Sequence, residues 1–362
     1  MLNVIAAIIM FGLIVLIHEF GHFIFAKLNG IYVVEFSIGM GPRLVSFKKG
    51  GTRYSLKAMP FGGSCLMLNE FESADDAGIL PEGISREETE GKGFVEQPVW
   101  ARISVVAAGP VANFLLAFAC ALVVVSRVGY MSPAVVGVEE GSPAYEAGLK
   151  EGDVITRIAG SRVEDYRDIA MYQMVNPGEP YLLEWERAEG EEIRTYASQM
   201  TPVYSESSGG YLVGLYFPGY VPTKNLGETL KYSVYNVKYQ IGATIKSLGM
   251  LFRGQVKADD VSGPVKIVSV VSEAVDESRQ YGLEAVLLNL LNLSIILSAN
   301  LGVMNLLPIP ALDGGRLVFL IIEALRGKPI DQEKEGMVHA AGMAVLMALM
   351  IFILFQDIKS LI

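Results

Sequence analysis

The sequence predicts a polytopic α-helical membrane protein of about four transmembrane helices, with a membrane-associated β-hairpin and one inserted soluble α+β domain. Three observations predict it. Hydrophobic residues make up 51% of the 362-residue chain and charged residues only 19%, and the mean hydropathy is +0.39, too apolar for an ordinary soluble protein of this length. Four stretches reach the roughly 20 apolar residues that a helix needs to cross a hydrocarbon core. Between the second and the third, the composition changes to β-branched runs, turn glycines and ordinary charge, as an independently folded insert requires.

The first span, 1–28, lacks a basic start and a small-residue cleavage site, and its apolar run continues past a polar triad. It reads as a retained helix and not as a cleaved leader. Residues 29–101 form a loop with a hairpin at 52–70, in which Tyr54, Leu56 and Ala58 alternate with polar neighbours before a turn at Pro60, Phe61, Gly62 and Gly63. The Glu-, Asp- and Gly-rich stretch 71–97 reads as a solvated loop. The second span covers 102–126, and the insert 127–203 follows, centred on GSPAYEAGLKEGDVITRIAG at 141–160. Within 204–282, Leu226, Leu230, Val234, Val237 and Ile241 recur at helical intervals with lysines between them, the pattern of an amphipathic juxtamembrane helix. The third span is 283–304. Residues 305–337 hold NLLPIPALDGG and a loop, and the last span is 338–356.

Four crossings put both termini on one side. Lys48, Lys49, Arg53, Lys57, Lys92 and Arg102, with Arg316, Arg326, Lys328 and Lys334, bias the first and last connecting loops to the cytoplasm, which leaves the insert extracytoplasmic. The net charge of −10, with no basic stripe, argues against a nucleic-acid partner. Two cysteines, Cys65 and Cys120, offer neither a disulfide framework nor a thiolate metal cage.

The chemistry concentrates in HEFGH. The chain has three histidines, and His18 and His22 stand four apart beside Glu19 inside the first span. Residues i and i+4 share a helix face, so the two imidazoles can grip one cation while Glu19 reaches a water beside it, the metalloprotease arrangement. Zinc suits two neutral imidazoles and keeps one position open for catalysis. On a soluble helix such a pentapeptide could be chance, but an ionisable residue at mid-bilayer costs about 2.5–3.5 kcal/mol, which an idle Glu19 would leave uncompensated. A third ligand is needed, and the sequence offers Asp313 and His339. Asp313 is favoured. Pro308 and Pro310 break the helix before it, and Gly314 and Gly315 allow a tight path that could turn the carboxylate inward. A helix cap is the plainer reading of Asp313, and a solvated interfacial residue that of His339.

HEFGH, NLLPIPALDGG, AAGPVAN at 107–113 and the PDZ-like GSPAYEAGLKEGD together resemble the bacterial site-2 protease family, intramembrane zinc metalloproteases of the RseP/RasP kind, over nearly the whole chain. The resemblance implies zinc held by His18, His22 and Asp313, with Glu19 as general base. It also implies a re-entrant β-element matched around Gly62 and Gly63, and substrate-positioning asparagines matched by Asn300 and Asn305, for which helix–helix hydrogen bonding is the alternative. The implied setting is the bacterial inner membrane, and the implied partners are the lipid bilayer and single-span proteins such as pre-trimmed anti-sigma factors or remnant signal peptides. The implied PDZ domain would gate substrates or dock them. Two departures stand out: the insert has room for one PDZ domain where many relatives have two, and Arg316 follows the double glycine where many have His. An inactive scaffold is disfavoured because all four site residues are present, and a transporter because no internal repeat occurs.

Overall fold

The computed structural model describes residues 2–69, 89–206, 209–255 and 263–361. Part of the stretch expected as a solvated loop, 70–88, lies outside the described residues. In chain order the elements are α1 (Leu2–Leu28), β1 (Val33–Lys49), β2 (Thr52–Met67), α2 (Val99–Val128), β3 (Tyr130–Met131), β4 (Gly137–Val138), α3 (Pro143–Glu146), β5 (Val154–Ile158), β6 (Ser161–Arg162), α4 (Tyr166–Val175), β7 (Tyr181–Glu189), β8 (Glu192–Met200), β9 (Val203–Ser205), β10 (Gly210–Leu212), β11 (Leu215–Tyr216), β12 (Tyr220–Val221), α5 (Leu226–Phe252), α6 (Pro264–Arg279), α7 (Leu283–Asn305), α8 (Asp313–Arg326) and α9 (Gln332–Leu361). They fall into two compact units, Met1–Cys120 with Val256–Ile362, and Ala121–Gln255. Among the described residues, α1, α2, α7 and α9 each contain a stretch long and apolar enough to cross a membrane.

In the first unit α1 and α2 approach closely through small residues. A Cβ at Gly21 would collide with the Ala108 carbonyl, the kind of backbone approach that packs helices where no hydrophobic drive separates lipid from protein. The segment 204–282, expected to be one juxtamembrane region, divides here. Its end, α6, packs Val271 and Val275 against Ala7, Met10 and Ile14 of α1.

The sheet corrects the expected hairpin. The arms on either side of Pro60 to Gly63 do not pair with each other. Residues 33–38 lie between them, with Phe36 opposite both Tyr54 and Cys65 and Ile38 opposite both Leu56 and Gly63. Residues 43–49 pair with the far side of the first arm, as Phe47 opposite Tyr54 and Lys49 opposite Thr52. The two long strands thus fold into four antiparallel segments, ordered 43–49, 52–57, 33–38, 63–67. The bends fall where backbone φ is positive, at Gly39 and Gly41 in β1 and Gly62 in β2, a conformation that glycine adopts without strain. Phe23 of α1 packs on Phe36 and Tyr54, which seats the sheet on the helix that carries HEFGH.

The stretch expected as a cytoplasmic loop after the LDG element is largely helical. Asp313 is the first residue of α8. Gly314 and Gly315 leave no space for a Cβ, which would strike the carbonyls of Leu307 and Ile309. The other end of α8 is tied to α2 by the Arg102–Glu323 ion pair.

The second unit is built on a four-stranded sheet in the order β6-β5-β7-β8. Tyr181, Leu183 and Trp185 alternate inward along β7 and pack with Ile155, Ile158, Ile169 and Met200. Asp153 of the GLKEGD turn is fully buried and takes two hydrogen bonds from Arg187, each 2.7 Å. The insert does not end at 203. β11 pairs with β4 and β12 with β3, and Val213 belongs to the core. α5 then lays Tyr235 and Val237 inward and leaves Leu226, Leu230 and Val234 exposed.

Candidate metal centre

His18 and His22 lie one helical turn apart on α1, both buried. Their Nε2 atoms are 3.2 Å apart. Asp313 Oδ2 lies 3.2 Å from His18 Nε2 and 3.4 Å from His22 Nε2. The donor set fits a cation. For zinc–ligand bonds of about 2.0–2.1 Å, the edge of a tetrahedron is about 3.3–3.4 Å, so two nitrogens and one oxygen already span one tetrahedral face. No other residues among those described form a comparable group of three His, Cys, Asp or Glu. As the first residue of a helix, the Asp313 carboxylate also sits at the favourable end of the helix dipole.

The imidazoles are aimed by α2. His22 Nδ1 lies 2.8 Å from the Val105 carbonyl, so Nδ1–H donates there and the Nε2 lone pair faces the cluster. His18 Nδ1 lies 3.2 Å from Asn113 Nδ2. Between these partners stands Gly109, where a Cβ would collide with His22 Nε2 and His18 Cε1. Val105, Gly109 and Asn113 follow one another at intervals of four and so face α1 as a single stripe. AAGPVAN contains Gly109 and Asn113, but the motif by itself assigns neither a role. The spacing of four was the available signal.

Glu19 points to the side of the cluster, toward the sheet. The backbone of Cys65 hydrogen-bonds it, and a Cβ at Gly63 would sit 3.0 Å from Glu19 Cγ. Gly62, the other glycine singled out, is a turn residue against Met40. Asn305 Nδ2 lies 3.4 Å from His18 Nε2, and neither Asn305 nor Asn300 is in the lining of the adjoining cavity. That cavity, of about 640 Å³, is bordered by His18, Glu19, His22 and Asp313 on one side and by residues 63–67 on the other. No described strand pairs with the outer edge of 63–67.

His339 stays outside the donor cluster. Its Nδ1 accepts the Ala311 N–H at 2.9 Å, so it holds the turn that precedes Asp313. Ala311 has a φ of +78°, strained for a residue with a side chain. Arg316, the departure after the double glycine, lines the same cavity and lies over the Phe94 ring at 4.9 Å.

The model of peptidase family M50 matches residues 6–349. A provisionally named zinc metalloprotease of Clostridium acetobutylicum is 36% identical, over 98% of this chain and 97% of that protein. The zinc metalloprotease RasP of Geobacillus kaustophilus is 32% identical over 99% and 98%, and the regulator of sigma-W protease RasP of Bacillus subtilis 32% identical over 99% of both.

Proposed function

The chain belongs to peptidase family M50 and is a zinc metalloendopeptidase of the site-2 type, and from that premise we propose that His18, His22 and Asp313 hold the zinc, that Glu19 is the general base, and that the substrates are single-span membrane proteins. The observation that carries the ligand assignment is the triangle of two Nε2 atoms and one carboxylate oxygen, with edges of 3.2 to 3.4 Å. Zinc in such a site supplies Lewis acidity toward a peptide carbonyl and toward water. Glu19, beside the cluster and not in it, takes a proton from the attacking water and delivers it to the leaving amine. Asn305, whose side-chain amide lies beside His18 Nε2, is assigned to a substrate carbonyl.

A transmembrane substrate hides its carbonyls in helical hydrogen bonds and must be held extended to be cut. The outer edge of 63–67 supports this step. A peptide added there as a further strand replaces its lost helical bonds with ladder bonds and runs past Glu19. Pre-trimmed anti-sigma factors and remnant signal peptides both suit such a site. The sigma-W regulator named above favours the first for this chain. The insert, on the extracytoplasmic side, acts as the gate against substrates that still carry a large ectodomain.

Metal analysis with a cleavage assay tests the assignment. His18→Ala, His22→Ala and Asp313→Ala each lose zinc, while Glu19→Gln keeps close to one zinc per chain and cleaves nothing. Zinc retained in Asp313→Ala and lost in His339→Ala would transfer the third position to His339, and turnover by Glu19→Gln would remove the general-base role.

A further inference from the structure

We propose that Asn113 is the positioning residue that sets the tautomer of His18, by presenting its Oδ1 to His18 Nδ1–H when the metal is bound. The inference rests on His18 being a ligand, as proposed above.

Asn113 is fully buried. Its backbone carbonyl is held by Ser298 Oγ of α7 at 2.8 Å, so this part of α2 has little freedom to shift. Its side-chain amide has Nδ2 3.2 Å from His18 Nδ1, while Oδ1 is buried with no hydrogen-bond partner among the described residues. An orphaned buried acceptor is costly, and the cause is specific to this pair. With Nδ2–H donating to Nδ1, His18 carries its proton on Nε2, the atom that faces His22 and Asp313. Turning the amide by 180° leaves its shape unchanged and reverses both roles: Oδ1 accepts from Nδ1–H, the orphan acquires a partner, and the Nε2 lone pair is free for a cation. One amide therefore has two orientations that select opposite tautomers of a ligand.

The neighbouring imidazole shows why an adaptable partner is needed only at His18. His22 Nδ1 meets the Val105 carbonyl, a pure acceptor, which permits one tautomer. Among the described residues the partner at His18 Nδ1 is the side-chain amide of Asn113 and not a backbone carbonyl, so the acceptor there is the Asn113 Oδ1. α2 thus orients both ligands, one through its main chain and one through a side chain eight residues on.

Zinc affinity of the detergent-solubilised full chain, measured by competition with a graded series of chelators, tests the proposal without using activity. Asn113→Leu, similar in shape but without an acceptor, weakens zinc binding about 10- to 100-fold, Asn113→Asp restores it, and Ser298→Ala, which loosens the main-chain tether only, leaves it unchanged. Equal affinities for wild type and Asn113→Leu, equal losses for the Leu and Asp variants, or an equal loss in Ser298→Ala would overturn the assignment. If the substituted proteins do not fold, nitrogen NMR of histidine-labelled wild type decides, since only three histidines contribute. Zinc-loaded protein shows His18 Nδ1 protonated, and an unprotonated Nδ1 refutes the proposal. His18→Ala keeps the two readings apart: wild-type zinc content in that variant defeats the ligand assignment itself, whereas zinc loss there beside full affinity in Asn113→Leu defeats only the role of Asn113.

Discussion

Gly109 donates nothing to the cluster, yet the cluster depends on its having no side chain. A single methyl there would collide with His22 Nε2 and His18 Cε1, and since both rings sit against a tightly packed helix pair, neither can retreat without leaving the Asp313 oxygen. Gly109→Ala is therefore expected to lower zinc content as severely as the loss of a ligand, although every donor atom remains. Metal analysis of the purified variant checks this, and full zinc occupancy would mean that α1 and α2 can separate at this point. His339 carries the opposite lesson. It was available in the sequence as a third ligand or a solvated side chain, and it is found largely buried outside the His18, His22 and Asp313 group, with its Nδ1 engaged by the Ala311 N–H. Composition identifies residues able to bind metal; only their distances separate a ligand from the group that steadies its loop.

The sheet shows what periodicity misses at the scale of elements. Residues 33–38 are one of its two inner segments, although their sequence lacks a clean apolar alternation and reads as part of a loop. Val33, Val34 and Phe36 are buried, but so are Glu35 and Ser37, since neighbouring segments satisfy them: Ser37 shares a 2.7 Å bond with Ser64, and Arg43 donates from Nε and Nη2 to the two Glu35 oxygens at 2.8 and 2.7 Å. The Arg43 guanidinium pulls the Glu35 carboxyl down to about 2, against a usual 4.5. Because the folded value lies below the unfolded one, the stabilisation is complete above about pH 4.5 and is lost as pH falls toward 2. Arg43 is half exposed, so its contribution is about 1–2 kcal/mol and not the full worth of the displacement. Melting curves of wild type and Arg43→Ala should differ by a constant margin at pH 5 and above and converge on acidification. A margin that persists to pH 2 would assign the effect of Arg43 to packing alone.

At the scale of the whole molecule, the insert is a separately packed unit that the chain enters through α2 and leaves through α5. Beside its four-stranded sheet, it contains two strand pairs, β11 with β4 and β12 with β3, whose second strands lie beyond 203, so a deletion must remove 130–221; ending it at 203 would strand half of both pairs. With that segment replaced by a short Gly/Ser linker, a gate predicts cleavage of full-length single-span substrates that otherwise need trimming. A dock predicts slower cleavage of trimmed ones. Comparing trimmed and untrimmed forms of one substrate, with and without the insert, separates the two, and unchanged rates for both forms would refute gate and dock alike.

From sequence alone one can read the four apolar spans, the pairing of His18 with His22 and the break before Asp313, because each depends on residues within a few turns of one another: hydropathy summed over about 20 positions, a spacing of four on one helix, two prolines and two glycines in a row. The strand between the two arms of β2, the helix that starts at Asp313, the convergence of Asp313 on His18 and His22, and the positions of Gly109 and Asn113 against the two imidazoles were decided by tertiary structure. Each of these joins segments distant in the chain, His18 to Asn113 across 95 positions and His18 to Asn305 across 287, and no local pattern carries the direction in which a side chain from one helix meets the backbone of another.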